Sequence, residues 1–177
     1  MEQKVPDFLQ IYNLEKYLFD VVGPRFRATG QIEPVDFFMI IIWKSNRAKT
    51  RVRDRLKKHV GGNFSDAVAQ ISGALSSAKN AKERLGLLMR DWGLRLPMAS
   101  AILTVLYPDE FTVYDYRVCE ALNVSYKDTQ FSDDCWSEYQ HYKSEVVKNT
   151  PSDLALRDRD RYLWGKSFWN DAIADAQ

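Results

Sequence analysis

The sequence predicts an all-α protein, and three observations carry that expectation. Apolar residues recur every three to four positions in one segment after another, as along Phe8, Ile11, Leu14, Tyr17, Leu18 and Val21. The segments are separated by helix-ending signals such as Gly23-Pro24, Gly61-Gly62-Asn63 and Pro108. The single β-branched run that could form a buried strand, Ile40-Ile41-Ile42, has no second strand to pair with.

Taken in order, Phe8 to Val22 reads as a first helix ended by Gly23-Pro24. Pro34 fits the first turn of a second, where its missing N–H costs nothing and Asp36 favours the positive helix end. That helix runs through FFMIIIW and is apolar nearly all round, hence central. A basic helix follows and breaks at Gly61-Gly62-Asn63, with Asn63 or Ser65 capping a helix that carries Val68, Ile71 and Leu75. Asn80 precedes a helix from Ala81 to Arg90 with Leu85, Leu88 and Met89 facing inward. Beyond the next two elements, Ser132 caps a helix from Asp133 to Lys148. Pro151-Ser152 opens a last helix ending in Tyr162, Leu163, Trp164, Phe168 and Trp169, whose aromatic cluster is expected to be the seam against the N-terminal helix.

A chain of 177 residues suits one domain, residues 1–177, or two closely packed helical lobes, and no repeat, linker or composition break marks a separable part. With 45% hydrophobic and 28% charged residues the composition is that of a folded globular chain. Cys119 and Cys135 form no disulfide framework or metal-ligand spacing, which points to a reducing interior: the cytoplasm, with nucleoid association in a bacterium. The charged N-terminus lacks a signal peptide's apolar stretch, and the run Phe37 to Trp43 is too short to span a bilayer, so no membrane partner is expected. His59 and His141 stand apart from metal-ligand patterns, and neither a phosphate-binding glycine loop nor a serine nucleophile elbow is present. Asp128, Asp133, Asp134 and Glu138 could bind a cation but read better as a solvated helix start, so no metal or cofactor is expected.

The net charge of +1 hides an asymmetry. Residues 44–58 hold Lys44, Arg47, Lys49, Arg51, Arg53, Arg55, Lys57 and Lys58 against Asp54 alone, a local +7 on a remainder of −6. On a helix Arg47, Arg51, Arg55 and Lys58 form one stripe. Such a block repels itself without a counter-charge and suits the phosphates of a polyanion, so DNA is the expected partner.

The stretch from Trp92 to Leu122 says most about function. Gly93-Leu94-Arg95 reads as a tight turn into a helix whose Ala99, Ser100 and Ala101 would let another backbone approach. Pro108 stops that helix, and Phe111-Thr112-Val113 is an extended link that places Asp115 at the start of the next one, Tyr116 to Leu122. This arrangement resembles the helix-hairpin-helix DNA glycosylases, in which a Leu-Pro-Gly-hydrophobic-Gly hairpin precedes a helix and a catalytic aspartate opens the following one. Gly93-Leu94 matches the middle of the hairpin, Ala99 and Ile102-Leu103 the small and apolar positions of the helix, and Val113 to Val118 the aspartate segment, with no gap. The resemblance is clear from residue 92 to 122, and the region 85–122 would hold hairpin and aspartate.

Departures narrow the activity implied. Asp91-Trp92 replaces Leu-Pro, Arg95 the second glycine, and Pro97 the lysine of strand-cleaving members. Proline has no amine for a Schiff base, and the cysteines of an iron-sulfur site are missing. The resemblance thus implies a hydrolytic, monofunctional glycosylase acting on a damaged, mismatched or modified base, with Asp115 stabilising the positive charge that builds on the sugar. Gly93, Leu94 and Arg95 would hold a phosphate through backbone N–H groups at the helix start, aided by Lys44, Arg47, Lys49, Arg51 and Arg55. Trp43, Tyr114 and Tyr116 are the expected walls of a pocket for the extruded base. In its bland reading Asp115 only caps a helix. A DNA-binding module without chemistry is then the rival, and a helical domain meeting an acidic protein a third possibility. No sequence feature specifies an oligomeric state.

Overall fold

The computed structural model describes residues 7–127 and 129–176, and of Asp133 the backbone alone. Helices dominate, and no strand occurs among the described residues. The chain forms two compact units, Met1–Ser77 and Ala78–Gln177. No helix among the described residues is long and apolar enough to cross a membrane.

The first unit begins with short helices α1 (Phe8–Tyr12) and α2 (Leu14–Tyr17), capped by the side chains of Asp7 and Asn13. A π-helical turn, Leu18–Val22, then leads directly into α3 (Gly23–Thr29). Gly23-Pro24 therefore does not end the helix, contrary to the sequence expectation. The Gly23 N–H bonds back five residues to the Leu18 carbonyl, and this wider turn puts Pro24 in the first turn of α3, where a missing N–H is tolerated. The helix ends at Gly30, whose φ of 69° is the left-handed conformation of a helix terminus.

Helix α4 (Pro34–Ser45) starts at Pro34 as expected, and Ile40-Ile41-Ile42 is helical. Phe37, Ile40 and Ile41 are fully buried with Leu18 and Val22. Asp36 does more than favour the helix dipole: buried, its carboxylate accepts from the Tyr17 hydroxyl at 2.9 Å and from the Arg25 guanidinium. Burial, and then Asp36 itself, push the Tyr17 phenol above its usual range, so it remains the donor. After a turn, α5 (Lys49–Val60) buries Leu56 and ends at Gly61, φ 60°. Asn63 caps α6 (Phe64–Ser77), its side-chain oxygen accepting the Asp66 N–H at 2.9 Å.

The second unit is arranged around α8 (Leu96–Leu106), buried at every residue from Met98 to Leu106. Its sequence, MASAILTVL, offers no polar face, and the Thr104 hydroxyl is satisfied by the Ser100 carbonyl at 2.8 Å. Before it comes α7 (Ala81–Gly86), capped by Asn80, which continues as a second π-helical turn, Leu87–Asp91, in place of the regular helix expected to Arg90. After it come α9 (Tyr116–Ala121), α10 (Asp133–Lys148) and α11 (Leu156–Asp175).

Two expectations about α11 are overturned. It opens at Leu156 instead of Pro151, because Arg159 holds the preceding turn in a non-helical shape. Its guanidinium donates to the carbonyls of Val147, Ser152 and Leu154 at 2.9–3.0 Å. Nor is its aromatic cluster a buried seam. Leu163 and Ser167 face inward, whereas Tyr162, Trp164, Phe168 and Trp169 remain 42–65% exposed.

Candidate nucleic-acid interface and aspartate site

In the second unit the hairpin turn is built by the π-helical segment. The Trp92 N–H reaches the Leu87 carbonyl at 3.1 Å and the Leu94 N–H the Leu88 carbonyl at 2.9 Å, and Gly93 between them takes φ 63°. An L side chain there costs about 1–2 kcal/mol, so Gly93→Ala is expected to lower stability by that amount, read as a drop in the thermal midpoint.

Several backbone donors at this turn, where a phosphate cradle was expected, are engaged within the chain. Leu94 is buried and its N–H is used within the turn. At the start of α8 the Leu96 N–H donates to the Thr129 carbonyl at 3.4 Å, Pro97 has no N–H, and Met98 and Ala99 donate to the Arg95 carbonyl at 3.0 and 2.9 Å. Arg95 is itself exposed.

The link from Phe111 to Asp115 passes through the unit's interior with no strand beside it, and side chains satisfy its backbone. The Tyr139 hydroxyl accepts the Thr112 N–H at 3.0 Å and donates to the Thr112 carbonyl at 2.8 Å. The Val113 N–H donates to Asp160 Oδ2 at 2.8 Å, and the Val113 carbonyl accepts from the Tyr142 hydroxyl at 2.7 Å. The Tyr114 N–H donates to Ser100 Oγ at 2.9 Å. Asp160 also accepts from the Thr112 hydroxyl at 2.9 Å and pairs with Arg157. Burial pushes the phenols of Tyr139 and Tyr142 far above their usual range, so both keep the proton with which they hold the link.

Asp115 emerges from this brace at the N-terminus of α9, extended at φ −136° and ψ 145°, with Oδ1 accepting the Arg117 N–H at 3.0 Å. It is half-buried, neither sealed inside nor fully in water. The next residue, Tyr116, is 53% exposed. The Arg117 guanidinium lies 5.3 Å from the Tyr116 ring centre and 5.5 Å from those of Trp164 and Phe168, held by Asp171 at 2.5 Å. An exposed aromatic surface around the largely covered, ion-paired Arg117 guanidinium therefore adjoins the aspartate.

Of the three expected pocket walls, Tyr116 is the one presented to solvent beside Asp115. Tyr114 is buried, stacked on Tyr126 at 5.3 Å and edge-on to Tyr142 at 4.8 Å, and its hydroxyl accepts the Lys127 N–H at 2.9 Å. Trp43 belongs to the first unit, half-buried and edge-on to Phe19 at 5.6 Å.

The basic block also lies in the first unit, on two helices rather than one. Lys44 ends α4, Arg47 sits in the turn after it, and α5 carries the rest, so the stripe from Arg47 to Lys58 is continuous only from Arg51 through Arg55 to Lys58. Those three are exposed. Lys49 is half-buried and donates to Asn46 Oδ1 at 2.7 Å, and Arg53 pairs with Asp54 at 2.8 Å. Lys49 and Arg51 stand in the first turn of α5, where cations oppose the helix dipole by about 0.3–1 kcal/mol each.

Sequence reasoning missed Tyr139, Tyr142, Asp160 and Ser100. The spacing of the two tyrosines on α10 was the one readable signal, and Ser100 was read for its size although its oxygen does the holding. Cys119 and Cys135 are buried free thiols. Among the described residues no cluster of His, Cys, Asp or Glu could hold a metal ion; of the acidic segment, Asp128 and the Asp133 side chain lie outside them, and Glu138 pairs with Lys127 at 2.8 Å. Comparison with family models, curated proteins and solved structures finds no match for the chain.

Proposed function

We propose that the protein binds DNA and hydrolyses the N-glycosidic bond of a damaged, mismatched or modified base, with Asp115 as the essential carboxylate and no strand-cleaving step. The observation that carries the reading is the brace on residues 112–114. Four side chains from three helices fix the backbone that delivers one half-buried carboxylate to a surface with an exposed tyrosine. A group that stabilises charge on a departing sugar must be fixed before the reaction, because reorganising it during the reaction forfeits the gain. Tyr116 supplies a ring face for an extruded base. Pro97 stands where a lyase lysine would be needed, which leaves water as the nucleophile.

Phosphates are met by side chains: Arg95 in the second unit and Arg51, Arg55 and Lys58 in the first. The cost of placing cations at the wrong end of α5 is explained if they serve a polyanion. On this reading, affinity for a short duplex falls steeply with salt. Arg51→Ala and Arg55→Ala each reduce the slope of log K against log salt by about one, whatever the sequence of the duplex. A slope unchanged in both variants would remove α5 from the interface.

The test of the reaction is incubation of the protein with duplexes bearing different lesions and modified bases, scoring free base by mass spectrometry. Release of base with the strand left intact is the expected result. Tight binding with no base released from any duplex favours a second reading, a DNA-binding module without chemistry, which the capping bond from Arg117 N–H to Asp115 supports.

A further inference from the structure

Between Asp115 and the last helix stands one residue with two tasks. The Arg117 N–H donates to Asp115 Oδ1 at 3.0 Å, while the Arg117 side chain runs to α11. The brace on residues 112–114 fixes the backbone on one side of Asp115 and leaves the other side to α9. That helix has six residues, far short of the about 12–15 at which an isolated helix becomes even marginal in water. Where α9 sits, and with it the N–H that orients the carboxylate, is therefore decided by what it is fastened to.

Four residues of α11 form a seat for the Arg117 guanidinium. Asp171 accepts from Nη1 at 2.5 Å and Ser167 Oγ accepts from it at 3.4 Å. The rings of Trp164 and Phe168, stacked with 5.4 Å between their centres, each lie 5.5 Å from the guanidinium carbon. Trp164, Ser167, Phe168 and Asp171 recur at intervals of three and four, so they share one face of α11. The seat leaves 17% of the Arg117 side chain exposed.

Ser167 ties a second point of α9 into the same fastening. It is buried beside Leu163, one turn earlier, where an apolar side chain would pack as well. Its hydroxyl donates to Glu120 Oε2 at 2.6 Å as it takes Arg117 Nη1. Arg117 and Glu120 are one turn apart on α9, and a short helix held at both points cannot roll about its own axis.

We propose that Arg117 is the positioning residue for the Asp115 carboxylate, kept in register by the seat of Ser167 and Asp171 on α11. The kinetic consequence rests on the glycosylase reading, and the structural one does not. Ser167→Ala combined with Asp171→Ala removes the polar half of the seat without touching Asp115. Base release should slow by about tenfold or more in kcat with KM within about twofold, because a displaced carboxylate costs turnover and not ground-state binding. Asp171→Glu, which keeps an acceptor for the guanidinium, should retain most of the activity.

Amide hydrogen exchange without DNA supplies the second readout. Protection of the Arg117 N–H should fall about tenfold in the double variant, while the Thr112 and Val113 N–H groups, held by Tyr139 and Asp160, stay within about twofold. Unchanged protection at Arg117 overturns the proposal whether or not any base is released. An equal loss at all three amides also overturns it, since the seat would then support the whole unit and not the carboxylate. A wild-type kcat despite lost protection removes the kinetic role. If the wild-type protein releases no base from any duplex while Arg117 protection falls as expected, the glycosylase reading fails and the seat stands.

Discussion

Under the proposed glycosylase function, replacement of Asp115 by asparagine is expected to slow base release by at least about 10²–10³-fold while leaving fold and DNA affinity nearly intact. The separation is clean because of where the residue sits. Its Oδ1 accepts the Arg117 N–H at the start of α9, and asparagine is as good a cap as aspartate. Asp115→Asn thus keeps the acceptor and removes only the charge. Asp115→Ala removes both and should also cost about 1 kcal/mol of stability. Single-turnover release measured beside thermal denaturation distinguishes the two roles. If Asp115→Asn releases base at the wild-type rate, the carboxylate is a cap and the enzyme reading fails. If it removes activity while binding stays within a few-fold, the charge was acting on the transition state.

The largest stability effect is expected at Asp160. Its buried carboxylate accepts from the Thr112 hydroxyl and the Val113 N–H and pairs with Arg157. Asp160→Ala leaves two donors and a largely buried guanidinium without their acceptor, which costs about 3–5 kcal/mol. Asp160→Asn keeps one acceptor oxygen for the backbone and loses the ionic attraction, so it should cost less. Urea denaturation followed through the tyrosines of the second unit measures both. A loss below about 1 kcal/mol in Asp160→Ala would show that water replaces the carboxylate and that the brace contributes little.

Local signals carried the element order well. Asn63 and Asn80 cap as their positions suggested, Gly93 takes the left-handed conformation of a turn, and Asp115 opens its helix. What could not be read was re-registration of the helix ladder. A π-helical turn needs one extra residue and has no composition of its own, so Gly23-Pro24 looked like a stop while the wider turn carried the chain through it. Arg159 likewise reshaped the start of α11 by gathering carbonyls from residues scattered over 147–154, which periodicity does not reveal. At the candidate site the aspartate was legible from its neighbours, and its support was not. Tyr139 and Asp160 lie 27 and 48 residues from Thr112, a distance over which only the folded chain brings side chain to backbone. The basic block was legible as charge, but its division between two helices was not, since the turn at Asn46 to Ala48 contains neither glycine nor proline.

That remoteness has a consequence for the order in which the molecule is assembled. Residues 112–114 leave the ribosome well before Asp160 does, and until then their polar groups have only water to satisfy them. The hairpin can close early from contacts near in sequence, whereas the carboxylate gains its fixed position only when the last helix arrives. A nascent chain arrested before that point would hold the turn at Gly93 without a fixed Asp115 behind it.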